Sequence, residues 1–229
     1  MLVSIIIPVL NEETNIPVVL NSLLNFSGIE IIICDGGSSD MTCERIIPFI
    51  SDYPFVKLVQ ASSGRGIQMN EGAKTACGKW LLFLHADTVI PDRSWKGFLK
   101  AIEKNDRPIR SGAFSFRSSS DAFRYRLMSV LVNLRSRWFK LPYGDQAIFV
   151  RRDLFEKFGG FRNDHPFMED VELVKRLSKE TGFAILKEEV ITSPRRHEAD
   201  GFFKRMLLNL WINILYRMGV PPGKLMKYY

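Results

Sequence analysis

Carboxylates recur just beyond apolar runs in this sequence: Glu12 after Val3 to Val9, Asp35 after Ile29 to Cys34, and Asp87 after Lys79 to Leu84. A carboxylate in such a place accepts hydrogen bonds from N–H and O–H groups or holds a hard cation. It also caps a turn, as Asp35 in Asp35-Gly36-Gly37 would do on its own. Gly64-Arg65-Gly66-Ile67-Gln68-Met69-Asn70 sets Arg65 in a glycine-led loop ahead of a helix, where backbone N–H groups and a guanidinium suit a diphosphate. Glu169-Asp170 falls on the first turn of an expected helix, where two acids also serve simply to stabilise the helix dipole. Arg195-Arg196-His197-Glu198 reads, by itself, as a solvated charge cluster.

The elements that must position these groups follow from hydrophobic periodicity. Strands are expected over Val3 to Val9, Ile29 to Cys34, Phe55 to Gln60 and Lys79 to Leu84, alternating with helices over Asn11 to Asn25, from a Ser38, Ser39 or Asp40 cap through Ile47, and across Gly64 to Cys77. Such alternation predicts an α/β fold with a central, mostly parallel sheet flanked by helices. Asp35 and Asp87 then lie at the carboxyl ends of strands, where open parallel sheets bind ligands. The second half is less regular, with strands expected over Ser111 to Arg117, Gln146 to Arg151 and Phe183 to Ser193, and helices over Asp121 to Lys140 and Glu169 to Lys179. At 229 residues without a linker-like tract, one domain is expected: residues 1–90 as a ligand-binding half, 91–195 as a second half, and 196–229 as a C-terminal helix and tail.

Taken in order, Ser4-Ile5-Ile6-Ile7-Pro8-Val9-Leu10-Asn11-Glu12-Glu13, Cys34-Asp35-Gly36-Gly37-Ser38-Ser39-Asp40, His85-Ala86-Asp87 and Met168-Glu169-Asp170 resemble the family 2 glycosyltransferases, which have a Rossmann-like GT-A fold. The resemblance runs from residue 3 to about residue 195. It implies that a nucleoside diphosphate sugar, most often a UDP-sugar, is bound by Pro8, Asn11, Glu12, Asp35, Arg65, His85 and Asp87. Asp35 would meet the base and Glu12 the ribose. His85-Ala86-Asp87 matches the family's DxD site, so Asp87 would hold Mn²⁺ or Mg²⁺, and His85, in place of the usual first acid, tilts the preference towards Mn²⁺. The resemblance makes Asp170 the general base that deprotonates an acceptor hydroxyl, with inversion at the sugar. It places Gly112, Gly144-Asp145-Gln146 and Glu169 on the acceptor side and offers His197 as a further metal ligand. The processive synthases' QxxRW motif is missing, so a single transfer is expected to an acceptor the sequence does not specify.

The same residues admit three other readings. Leu82 to Thr88 also resembles the DxDxT motif of haloacid dehalogenase phosphatases, but His85 stands where that family's nucleophilic Asp belongs. A sugar nucleotidylyltransferase would want a glycine-rich loop after the first strand, which Pro8 to Glu12 is not. A noncatalytic nucleotide-binding module is the alternative that His85 leaves open.

Net charge is +7, from 32 Lys and Arg against 25 Asp and Glu, and it suits a phosphate-bearing ligand, an anionic membrane or nucleic acid. Without a Lys/Arg-rich block or an RNA-binding aromatic signature, nucleic acid is not expected as a partner. Three cysteines with no CxxC spacing point to reduced thiols and a cytoplasmic setting. The apolar start of the chain reads as a strand and not a signal, and no uncharged run approaches the roughly 20 residues of a spanning helix. From Phe202 to Met218 the pattern gives a helix with a narrow polar stripe of Asn209, Asn213 and Arg217. Its broad apolar face is expected to pack in a groove of the domain, form a homodimer contact, or lie on the inner face of a membrane. The stretch from Arg195 to Pro222 also resembles a bacterial subgroup of the family linked to arsenosugar biosynthesis.

Overall fold

The structure, a computed structural model, describes residues 2–103 and 108–228, and the side chains of Arg196 and His197 lie outside what it describes. In chain order the first half comprises β1 (Val3–Val9), α1 (Ile16–Leu23), β2 (Ile29–Asp35), α2 (Thr42–Asp52), β3 (Val56–Gln60), α3 (Arg65–Thr75), β4 (Trp80–Phe83), β5 (Thr88–Val89) and α4 (Asp92–Glu103). The second comprises β6 (Ser111–Ser118), α5 (Phe123–Phe139), β7 (Ile148–Arg151), α6 (Arg152–Lys157), α7 (Glu169–Leu177), β8 (Phe183–Thr192), α8 (Arg195–Asp200), α9 (Phe202–Arg217) and α10 (Pro222–Leu225).

One eight-stranded sheet runs β3-β2-β1-β4-β7-β6-β8-β5. The first four strands pair in parallel, because each returns through a crossover helix. Beyond β4 the sheet is mixed: β7 is antiparallel to both β4 and β6, β8 is parallel to β6, and β5 is antiparallel to β8. Every residue of β1, β2 and β4 is buried, as strands covered on both faces require. Alternation along β1 splits its side chains between two cores: Val3, Ile5, Ile7 and Val9 meet α1 and α4 on one face, while Ile6 meets Met69 of α3 and Leu173 and Leu177 of α7 on the other. A third core under the β6–β7 end includes Ile148, Met168, Val171 and Val174, closed by Ile212 of α9 and Leu225 of α10. Pro8 is tolerated in this central strand because the pairing of β1 with β4 stops at Ile6 and Phe83.

Several boundaries differ from expectation. Residues 11–15 are loop and not helix, since Asn11 takes a left-handed φ of 56° and Glu12 turns its carbonyl to Asn15 and Ile16. The second helix begins after Met41 and runs on through Pro48, and Asp40 accepts the Thr42 N–H without being the cap residue itself. Gln146 belongs to a 3-10 turn over Gly144–Gln146 and not to the strand that follows. The whole of α4 was not expected, although Trp95 and Phe98 carry its buried face.

Candidate active site

The loops after β1, β2 and β4 meet at one edge of the sheet. Asn11 donates its N–H to Ser38 Oγ at 3.0 Å and accepts the Ser39 N–H on Oδ1 at 2.9 Å, so the first two loops are stitched together. Buried Gln68 of α3 ties the strands beneath them, its Nε2 donating to the carbonyls of Val9 and Cys34, each at 2.7 Å. Asp35 is buried, and its carboxylate accepts the N–H groups of Gly37 and Ser38 at 3.1 and 3.2 Å and the Ser38 hydroxyl at 2.5 Å. Asp35 therefore organises its own turn.

Glu12 and Asp87 are held by a cation for which the sequence supplied no role. Arg195 Nη2 donates to both Glu12 oxygens, at 2.5 and 2.7 Å, and Arg195 Nε lies 3.7 Å from Asp87 Oδ2. The guanidinium spans two carboxylates whose side chains are each only 13% exposed, offsetting their repulsion. It arrives there because β8 ends against the Asp87 loop: the Ser193 N–H donates to the Asp87 carbonyl at 3.0 Å, and Thr192 Oγ1 sits 3.0 Å from Thr88 Oγ1. The signal was the Arg195 cluster directly after the last strand. His197, expected nearby, lies outside the described side chains.

The second half supplies Asp170. Met168 holds a left-handed φ of 61° at the start of α7, and Asp170 follows on the first turn, half-buried, accepting the Gly144 N–H on Oδ2 at 2.6 Å and the Val171 N–H on Oδ1 at 2.8 Å. A methyl group placed on Gly144 would lie 2.7 Å from His85 Nε2 and 3.3 Å from Asp170 Oδ2, so Gly144 is the contact at which the β4 loop and the α7 terminus converge. Asp145, next in the chain, has its Oδ1 buried with no hydrogen-bond partner. Burial pushes its pKa up to about 6, opposed by Arg135 and reinforced by the charges of Asp170 and Asp87.

Three residues expected on the acceptor side do not face open space. Gly112 is buried in β6, where an added Cβ would fall 1.9 Å from the Ala184 carbonyl oxygen; it is a glycine because β8 approaches closely. Gln146 is fully buried and its amide is spent: Nε2 donates to the Phe114 carbonyl at 2.9 Å and Oε1 accepts the Ser136 hydroxyl at 2.6 Å. Glu169 lies beneath Asp170 and pairs through Oε1 with Arg65 Nε at 3.0 Å, while its Oε2 is buried without a hydrogen bond. Burial pushes the Glu169 pKa up to about 7, against the pull of Arg65 and with the help of the Asp170 charge. Arg65 is thereby anchored on α7 with about a third of its side chain exposed.

Among the described residues, no group of three or more His, Cys, Asp and Glu side chains is arranged to hold a metal ion. Asp87 and the unpartnered Oδ1 of Asp145 nonetheless fit one hard divalent cation that draws its remaining ligands from a phosphate-bearing molecule and water. A positive charge there would relieve the raised Asp145 carboxyl.

A half-parallel sheet with acids at the carboxyl ends of its parallel strands defines a single α/β domain of the GT-A kind. The chain belongs to glycosyl transferase family 2, whose model matches residues 4–162. It is 28% identical over 197 residues to the probable glycosyltransferase YdaM of Bacillus subtilis, with 76% of this chain and 46% of that one covered, so it spans about half that relative's length. In fold it is similar to residues 1–349 of S. aureus TarS in complex with UDP, with a TM-score of 0.66, 18% identity and coverage of 84% of this chain and 60% of that one. It is equally similar to the mannosyltransferase PcManGT from Pyrobaculum calidifontis in complex with GDP-Man and Mn²⁺, with a TM-score of 0.66, 19% identity and coverage of 82% and 56%.

Proposed function

We propose that this chain performs a single, inverting transfer of a glycosyl group from a nucleoside diphosphate sugar, a UDP-sugar, to a hydroxyl acceptor. The observation that carries the reading is the placement of Asp170: its carboxylate is fixed by the Gly144 and Val171 N–H groups at the point where the α7 terminus meets His85, two residues before Asp87. A base so held takes the acceptor proton as the hydroxyl attacks the anomeric carbon, and attack from the side opposite the leaving diphosphate inverts that centre.

Glu12 and Asp35 suit the ribose and base, since carboxylates accept from hydroxyl and imide groups; Asp35 would exchange part of its own turn for that contact. Asp87, with Asp145 near it, would hold Mn²⁺ or Mg²⁺, which when bound neutralises charge on the departing diphosphate. Arg195, already between Glu12 and Asp87, and Arg65, anchored by Glu169, bring two further cations to the same edge. The exposed apolar residues of α9 support a peripheral contact with a membrane.

Release of nucleoside diphosphate from a panel of UDP- and GDP-sugars with Mn²⁺ tests the reading. Turnover with one donor should fall about 100-fold or more in Asp170→Asn. Equal release by wild type and variant would remove Asp170 from the chemistry, and release from no donor would favour a noncatalytic module.

A further inference from the structure

Two helices far apart in sequence expose apolar stripes of the same spacing. On α5 the stripe is Phe123, Leu127, Val130, Leu134 and Trp138, with Phe123 79% and Trp138 75% exposed. On α9 it is Phe203, Leu207, Leu210, Ile214 and Met218, the last at the end of the helix. Steps of four, three, four and four residues keep each stripe on one helical face. The helices are joined at both ends of their overlap. Tyr125 meets Phe202 edge to face at 5.2 Å, and further along Arg135 lies 3.6 Å over the Tyr143 ring, whose hydroxyl bonds Asn213. They therefore touch at their first turns and are bridged through Tyr143 further along, and their other faces are taken up by the protein, through Asn133 and Tyr125 on α5 and Ile212 on α9.

Neither helix contains an Asp or Glu, and together they carry six arginines and one lysine. Those seven cations equal the net charge of the whole chain, so the rest of the sequence is balanced. Arg205 is paired with Asp200, but Arg124, Arg126, Arg137, Lys204 and Arg217 are exposed around the stripes. Apolar side chains amid cations, with no anion among them, match a surface of acyl chains under anionic headgroups. A second copy docking through the same face would bring cations against cations.

We infer that α5 and α9 together form a docking face for an anionic lipid bilayer. The inference rests on the peripheral-membrane part of the reading above and uses none of its transfer chemistry. Tyr143, held between the two helices, directly precedes the Gly144 that fixes Asp170, so the docked face adjoins the turn that holds Asp170.

Flotation of the full chain with phosphatidylcholine vesicles, with and without phosphatidylglycerol, tests it. Flotation should require the anionic lipid and weaken in high salt. Tryptophan emission should shift to the blue on binding, because Trp138 and Trp211 are exposed on this face while Trp80 and Trp95 are buried. Leu127→Asp with Leu210→Asp should lower vesicle partitioning at least about tenfold, with the thermal midpoint held near that of the wild type. Should that pair fail to fold, Arg126→Glu with Arg217→Glu, both at exposed positions, must produce the loss instead. No flotation with anionic vesicles would overturn the inference. So would a dimer in sedimentation that the Leu127 and Leu210 substitutions dissolve while flotation is absent, since a second copy would then cover the face.

Discussion

The two halves of the sheet edge are built differently. From β1 to β4 the cleft is made of loops stitched by backbone and by short polar side chains: Asn11 to Ser38 and Ser39, Gln68 to Val9 and Cys34, Asp35 to its own turn. Its carboxylates are satisfied or paired. From β6 onwards the site is made by close approach and by ionisable groups left short of partners, with Gly144 against His85, Asp145 Oδ1 orphaned, and Glu169 buried on one cation. A rigid, satisfied frame suits a ligand part that is the same in every turnover, such as a nucleotide. Desolvated groups short of partners suit the place where a proton must move.

Gly112→Ala should have the largest effect on the fold. If the residue is there for the β6–β8 approach, the added methyl 1.9 Å from the Ala184 oxygen should cost about 3 kcal/mol and lower the melting temperature by roughly 10 °C. A stable variant with a raised KM for acceptor alone would return Gly112 to the acceptor side. Gly144→Ala sharpens the contrast from the other direction. It should slow transfer about tenfold by pressing on His85 and Asp170, and weaken nucleotide affinity much less than that, because the stitched loops after β1 and β2 are untouched. Loss of nucleotide binding in that variant would dissolve the distinction between the halves.

The smallest expected effect concerns pH. Glu169 holds its proton more tightly in the folded chain, with a pKa near 7, than in the unfolded one, so its contribution to stability is complete below about pH 4.5 and is lost as pH rises through about 7. Thermal unfolding of Glu169→Gln between pH 5 and 8 should therefore show a flatter stability profile than the wild type. An unchanged slope would mean that Arg65 compensates the charge fully.

The same contrast explains what was legible in the sequence. The first half announces itself because parallel strands buried on both faces are continuous apolar runs, and β1, β2 and β3 fall within a residue of where those runs predict. Its acids are readable because they close those runs. In the second half Gln146 and Gly112 carry the motif's position but serve packing, which only the approach of β8 and the contacts of Phe114 and Ser136 reveal. Arg195 was visible as one cation in a cluster, but its partners are 183 and 108 positions away in sequence, and no local pattern encodes that distance. The helix expected to run through Ile47 absorbs Pro48 and continues to Asp52, which local pattern did not show. The broad face of Phe202 to Met218 was legible, whereas its partner α5 became so only when Tyr143 was seen to bridge the two helices.

The most direct test of a nucleotide frame separate from the proton-handling groups is calorimetric titration of UDP, with and without Mn²⁺, into wild type, Asp87→Ala and Asp170→Asn side by side. The account predicts Mn²⁺-dependent binding in wild type and Asp170→Asn alike, and its loss in Asp87→Ala. Mn²⁺-dependent binding that survives in Asp87→Ala, or vanishes in Asp170→Asn, would contradict it.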